Sequence, residues 1–386
     1  MAIVNRRTFI KLAGLSMAAS ILGFPRKGMA QKPSGKKSFR KICVEEHFST
    51  TDHLNYLLSI FKKKYPMGEV VQEEKYILAD VPFLPYLFLR PPLIAQLCDL
   101  GEGRLKVMDK CGIDVQVLSL LSPGVQVFEA STATRLSREY NNRLASAVKD
   151  HPKRFVGMAC LAPQDPKQAA DESERAVKDL GFKGAVINSH TKGEYLDDKK
   201  YWVIFEQAQK LNVPIYLHPR APSPDMMKPF IGYPMLDSAM WGFGAEAGLH
   251  SLRLILSGLF DEFPRLKIIL GHPGETIPFV LARIDNRWSA LPFFAKSAFP
   301  FFGKKPKKLP GQYFRNNFLV TTSGMNEDPA TLIATISILG ADSILFATDY
   351  PMEDAAQAVS FIDNVPISDL DKAKICHLNA ERVFSL

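Results

Sequence analysis

The stretch KICVEEH, residues 41–47, reads as a short apolar β-strand that ends in two carboxylates and an imidazole. Charged groups at the end of a buried strand need a partner, and a metal ion accepts both carboxylate and imidazole. Side chains two apart on a strand share a face, so Glu45 and His47 point together while Glu46 points away. Glu45 and His47 are therefore a candidate ligand pair, and Glu46 is a structural carboxylate or one that supports a ligand.

Seven further runs of the same kind follow: 115–121 (VQVLSLL), 154–161 (RFVGMACL), 183–189 (KGAVINS), 213–218 (VPIYLH), 266–271 (LKIILG), 317–322 (NFLVTT) and 343–349 (SILFATD). Helical patterns lie between them. They include 131–150, opening on a Ser/Thr cap, 166–180, with Pro at its start and Gly181 after its end, 198–211 and 275–290. Eight strands alternating with helices imply an α/β fold closed into a (β/α)8 TIM barrel. An open doubly wound sheet is the alternative, but no GxGxxG follows the first strand. Three segments exceed a minimal barrel: inserted loops at 49–92, 219–244 and 291–316. The first two follow strands and are aromatic and proline-rich, as loops over a barrel mouth often are.

The chain has 386 residues, 46% hydrophobic and 23% charged, which excludes disorder and a membrane bundle. Its start, Asn5-Arg6-Arg7-Thr8-Phe9-Ile10-Lys11, then an apolar run from Leu12 to Phe24 and Gly28-Met29-Ala30, has the layout of a twin-arginine signal. The expected organisation is a signal peptide over 1–30, a linker over 31–40 and a single catalytic domain over 41–386, exported to the periplasm without a stable membrane anchor. Residues 1–30 hold five basic residues and no acid, so the formal charge of +8 falls to +3 without them. The remaining basic runs read as linker and loop, leaving no nucleic-acid footprint. Five cysteines without a CxxC read as buried thiols.

Active-site groups of such a barrel sit at the carboxyl ends of its strands. Those positions hold Glu45, His47, His218, His272 and Asp349. A set of Glu45, His47, His218 and Asp349 mixes nitrogen with oxygen and suits one divalent ion, Zn²⁺ or Mn²⁺. His272 lies in LGHPGE, 270–275, where Glu275 either orients the imidazole or opens the following helix. Ser119, Ser122, Ser189, His190, Thr321, Thr322 and Ser323 line a pocket or only satisfy backbone groups. His53, His151, His250 and His377 read as surface or packing residues.

These residues resemble the decarboxylase branch of the amidohydrolase superfamily, which includes γ-resorcylate (2,6-dihydroxybenzoate) and 5-carboxyvanillate decarboxylases. The motifs that carry the resemblance are VEEHF (44–48), DLGEGRLKVMDKCGIDVQVLSL (99–120), YLHPR (216–220), SGLFDEFPRLKIILGHPGE (257–275), LARIDNR (281–287) and ILFATDYPME (344–353). The resemblance implies a metal-dependent-hydrolase type of barrel with one metal on Glu45, His47, His218 and Asp349, and His272 and Glu275 beside it. It implies that Arg283 helps bind a substrate carboxylate in a neighbouring subunit, hence a homo-oligomer, dimer or tetramer. The implied reaction is non-oxidative decarboxylation of an ortho-hydroxybenzoate-type acid, with Asp349 protonating the ring carbon. Trp241, Phe243 and the Phe83–Phe88 stretch would flank the ring.

The rival is a metal-dependent hydrolase of an amide, lactone or ester. Hydrolases of this superfamily commonly carry His-x-His in the first motif, and two-metal members add a lysine on strand 4. Here the motif is Glu-x-His, and Lys183 stands at the wrong end of its strand. A non-enzymatic binding protein is a third reading, against which the intact ligand set argues.

Overall fold

The computed structural model describes residues 39–64, 91–230, 232–233, 235–294, 306–325 and 328–386. Its eight strands are β1 (Ile42–Phe48), β2 (Val115–Leu120), β3 (Phe155–Cys160), β4 (Gly184–Asn188), β5 (Ile215–His218), β6 (Ile268–Leu270), β7 (Phe318–Thr321) and β8 (Ile344–Leu345). They pair in parallel in sequence order. Apart from the half-buried Val156, every strand residue is buried, because helices cover the outer face and side chains fill the inner one. That explains why the strands read as continuous apolar runs.

The larger helices are α1 (Thr51–Lys64), α2 (Pro91–Cys98), α3 (Glu102–Cys111), α4 (Ala130–Asp150), α5 (Pro166–Lys178), α6 (Trp202–Leu211), α7 (Gly242–Leu256), α8 (Ile277–Phe294), α9 (Pro310–Asn317), α10 (Pro329–Leu339) and α11 (Ala355–Asn364). Their ends follow local chemistry. Asp165 caps α5 by accepting the Gln168 N–H at 3.1 Å, Pro166 fills the first helical position, and Gly181 turns at φ +73° beyond its end.

Several boundaries differ from the sequence expectation. α4 begins at Ala130, and its N-cap is Glu129 rather than a Ser/Thr; that carboxylate pairs with Lys192 instead of capping. The helix expected from 275 begins at Ile277, since Glu275 and Thr276 take φ of +52° and +66°. The expected 198–211 helix is a 3₁₀ turn, Lys199–Tyr201, followed by α6. The last strand shrinks to Ile344–Leu345, because the Phe346 N–H bonds to Ile375 O and the chain then swings toward β1. Residues 65–90 of the first inserted loop, with Phe83–Phe88, and 295–305 of the third lie outside the described residues.

The two ends of the sheet meet at a seam that makes it a nearly closed barrel. The Val44 N–H donates to Phe346 O at 2.9 Å and the His47 N–H to Tyr350 O at 2.8 Å. Side chains complete the seam. Glu46, fully buried, accepts Gln116 Nε2 at 2.9 Å, the Thr348 N–H at 2.9 Å and the Thr348 hydroxyl at 2.8 Å, so it ties β1 to both neighbours. Buried Arg104 of α3 donates to His47 O at 2.7 Å, Asp99 O at 2.7 Å, Gln96 O at 3.2 Å and Gln116 Oε1 at 3.2 Å, and lies over the Tyr350 ring. A register shift between Cys43 and Glu46 marks a bulge in β1 at this point.

Three histidines outside the strand-end cluster are buried core groups. The Gly193 N–H donates to His190 Nδ1 at 3.1 Å and the Leu196 N–H to His250 Nε2 at 3.0 Å; a ring nitrogen that accepts an amide cannot also carry a proton. Burial holds His53 down at about 4, His250 at about 3 and, with Arg220 beside it, His190 at about 2. The unfolded chain titrates its histidines near 6.5, so below that pH the unfolded state binds protons that the folded state refuses. Stability is therefore full above pH 6.5 and falls as pH drops toward 4. At about 1.4 kcal/mol per pH unit for each group, the three together remove roughly 5 kcal/mol between pH 7 and pH 5. Urea unfolding at the two pH values checks this, and His53→Asn should make the drop smaller by its own share of roughly 2 kcal/mol; equal stability at both would contradict it.

Candidate active site

The strand ends bring together the groups that the sequence singles out. Ligand atoms of Glu45, His47 and His218 lie within 4.8 Å of one another, and all three residues are buried. Glu45 Oε1 is 3.5 Å from His218 Nε2 and 3.9 Å from His272 Nε2, and the His47 and His218 rings meet edge to face at 4.7 Å. Asp349 joins through His47, its Oδ1 3.1 Å from Nε2. It stands within the seam, between Thr348 and Tyr350, at φ +54°, an uncommon backbone state that aspartate adopts more readily than most residues.

The donor set can be tested for a cation. Glu45 is 1% exposed, and its Oε1 has no hydrogen-bond partner among the described residues; neither has Nδ1 of His218. A buried carboxylate oxygen facing imidazoles needs a positive partner. Burial alone would raise the Glu45 carboxyl, but His272, His218, His47 and the Ser323 hydroxyl hold it down at about 2. Burial in turn lowers His47 to about 4 and His218 to about 3. At neutral pH the cluster is thus a carboxylate with two neutral imidazoles, the protonation state that binds a metal. A Cβ at Gly271 would sit 3.0 Å from both Glu45 Oε1 and the Tyr216 hydroxyl, so only glycine leaves this space free. These residues fit one divalent ion with nitrogen and oxygen ligands.

His272 is set differently. Its Nδ1 lies 2.9 Å from Glu275 Oε1, which directs Nε2 toward Glu45, and its φ is +47°. Burial opposes protonation, yet Glu275 and Glu45 raise the His272 pKa well above the ordinary imidazole value. Burial and the Glu45 carboxylate together raise Asp349 well above the usual carboxylate range. The cluster therefore sets two imidazoles held low, His47 and His218, beside two groups held high, His272 and Asp349.

Other expected residues lie farther out. Trp241 is 58% exposed at the start of α7, and Phe243 is half-buried in its first turn. That turn adjoins the site through Gly244, where a Cβ would come within 2.9 Å of Glu275 Oε2. Arg283 is exposed on α8. The sequence reading left Thr321 and Ser323 open, whereas both hydroxyls donate to Glu45 Oε2. It did not single out Tyr216, Gly271 or Arg104; their only sequence signal is their position at, or packed under, strand ends.

Comparison with known proteins sharpens the picture. The family described as Amidohydrolase matches residues 95–386. γ-Resorcylate decarboxylase of Polaromonas sp. (strain JS666 / ATCC BAA-500) is 39% identical over 353 residues, 90% of this chain and 98% of that protein. The crystal structure of 5-carboxyvanillate decarboxylase from Sphingomonas paucimobilis superposes with a TM-score of 0.81 at 39% identity, covering 90% of this chain and 100% of the other. The dihydroxybenzoic acid decarboxylase structure from Polaromonas sp. JS666, with bound manganese and the inhibitor 2-nitroresorcinol, matches at 38% identity and TM-score 0.76, over 90% of this chain and 98% of the other.

These matches contradict the expected twin-arginine export to the periplasm. Nearly the whole of each relative is matched by 90% of this chain, and the match gives the expected export no support. The segment behind that expectation, residues 1–30, lies outside the described residues. Among the described residues no helix is long and apolar enough to cross a membrane.

Metal analysis checks the donor set. The purified chain is expected to take up about one Mn²⁺, and Glu45→Gln or His218→Ala should weaken that binding by more than about 100-fold, beyond what loss of a supporting group costs. Mn²⁺ binding by Glu45→Gln at wild-type strength would contradict the assignment.

Proposed function

The chain belongs to the amidohydrolase family, and from that premise we propose that it is a metal-dependent, non-oxidative decarboxylase of a hydroxylated aromatic acid. The observation that carries the reading is similarity to named hydroxybenzoate decarboxylases over 90% of the chain, with an apt donor set at the strand ends. In this reading residues 41–386 are one catalytic domain, and Glu45, His47, His218 and Asp349 hold the ion. Manganese, present in related structures, is the first choice and zinc the second. The ion supplies a positive anchor for the carboxylate and ortho-phenol oxygens of the substrate, holding ring and leaving group in one geometry.

The chain's own groups then move the proton. Asp349, beside His47 past the end of the last strand, gives a proton to the ring carbon that bears the carboxylate. The bond from that carbon to the carboxylate breaks, its electron pair restores the aromatic ring, CO2 leaves, and Asp349 regains a proton from solvent. His272, held by Glu275, donates from Nε2 to the phenol or carboxylate oxygen and balances its charge. Trp241 and Phe243 offer aromatic surface to the ring, and Arg283, exposed on α8, serves the substrate carboxylate of a neighbouring subunit in a dimer or tetramer.

Hydrolysis is not favoured by the relatives at 35–39% identity, which are named decarboxylases. The sequence features agree: the first motif has Glu45 where hydrolases commonly have histidine, and Lys183 precedes β4 instead of ending it.

A panel of hydroxybenzoates and vanillate-type acids incubated with Mn²⁺-loaded protein should release CO2 from at least one ortho-hydroxy acid. Asp349→Asn should lower kcat by about 1000-fold or more, in the range set by loss of general acid catalysis. Absence of CO2 from every acid, or cleavage of an ester or lactone in its place, would sink the proposal. For the shared-site reading, Arg283→Ala and Asp349→Asn chains expressed together should regain activity that neither has alone. No regain in a proven mixed oligomer would exclude a trans role for Arg283.

A further inference from the structure

Strand β7 ends at Thr321 and runs on into Thr322 and Ser323, three hydroxyl residues in a row, all buried. Thr322 turns outward and exchanges hydrogen bonds with the backbone of Ala347 at 3.1 and 3.2 Å. Its two neighbours turn into the barrel. Thr321 Oγ1 donates to Glu45 Oε2 at 2.8 Å, Ser323 Oγ donates to the same oxygen, and the two hydroxyls are 2.8 Å apart. Ser323 Oγ also accepts the His272 N–H at 3.2 Å.

Proton counting gives this triangle a direction. Its three oxygens share two protons, and an ionised carboxylate oxygen can only accept, so both hydroxyls aim at Oε2. That oxygen is satisfied and fixed, while Oε1 of the same carboxylate has no hydrogen-bond partner among the described residues and faces His218 and His272. We propose that Thr321 and Ser323 are positioning residues that hold Glu45 as a one-oxygen metal ligand, and that Ser323 also ties the His272 backbone to it.

Without the two hydroxyls, Oε2 would be a buried anionic oxygen with nothing to accept from, and the carboxylate would be free to rotate and offer both oxygens to the cation. The metal's coordination would change, and so would the direction of Glu45. Ser323 has the additional task of anchoring an amide whose residue sits at φ +47°, where a histidine needs its hydrogen bonds to stay. Metal occupancy and the placement of the His272 ring are therefore coupled through one serine hydroxyl.

The inference rests on the reading of Glu45 as a metal ligand, and the test separates the two. Mn²⁺ affinity is measured by competition with a chelator, with the electron paramagnetic resonance spectrum of the bound ion, for wild type, Thr321→Val, Thr321→Ser, Ser323→Ala and Ser323→Thr. Thr321→Val and Ser323→Ala should bind roughly 10- to 100-fold more weakly, as removal of groups that orient a ligand does, with an altered spectrum. Thr321→Ser and Ser323→Thr should restore most of the affinity. Ser323→Ala should also lower kcat further than Thr321→Val, because only Ser323 holds His272. Wild-type affinity in both hydroxyl-free variants, or equal losses in the hydroxyl-keeping ones, would overturn the inference while leaving the metal site standing. Wild-type protein that binds no Mn²⁺ would overturn the metal site and this inference with it.

Discussion

Two adjacent buried carboxylates on one strand must be satisfied in opposite directions, and the rest of the molecule is arranged around that demand. Glu46 turns outward and is held by Gln116 and Thr348; Glu45 turns inward and is held by Thr321 and Ser323 on one oxygen only. Their charge states part accordingly. Burial pushes the Glu46 carboxyl up to about 8 despite its hydrogen bonds from Thr348, whereas the imidazoles and Ser323 keep that of Glu45 at about 2. The first carboxylate serves closure of the barrel, and the second serves what the barrel encloses. Loss of either would leave buried donors unpaired, which is costly in a dry interior.

Much of this was readable before any coordinates. The strand runs, the alternation that separates Glu45 from Glu46, and the gathering of His218, His272 and Asp349 at strand ends all follow from a period of two and a parallel barrel. What escaped depends on contacts distant in sequence or on unusual backbone. Thr321 and Ser323 reach Glu45 across 276 and 278 residues, and no local pattern announces that. The shortened β8 comes from the Phe346 N–H bonding to Ile375 O, and the late start of α8 from positive φ at Glu275 and Thr276. The Ser/Thr cap expected for α4 is displaced because the helix already begins at Ala130, which puts Glu129 at the N-cap. The expected export failed for another reason: it rested on residues 1–30 alone, and the matched relatives give it no support.

The loops above the site form one polar core of their own. Glu246 of α7 accepts from Ser189 at 3.1 Å, from the Tyr195 hydroxyl at 3.0 Å and from the Ser223 N–H at 3.1 Å, while His250 of the same helix lies 3.1 Å from Ser189. The segments after β4 and β5 are thereby fastened to α7. The first turn of α7 in turn lies against Glu275, the partner of His272. Residues that never approach the ligands thus decide where the imidazole stands.

The seam has a consequence for the order in which the molecule comes into being. Glu46 and Thr348 are 302 residues apart, so their contact closes nearly the whole chain on itself and carries the largest loop-closure entropy of any strand junction. The other seven junctions join neighbours in sequence and can zip from one to the next. Glu45 and His47 stand on one side of that last junction and Asp349 on the other. A nascent or partly folded chain therefore has no assembled cation site, and metal capture becomes a signal that the circle is complete.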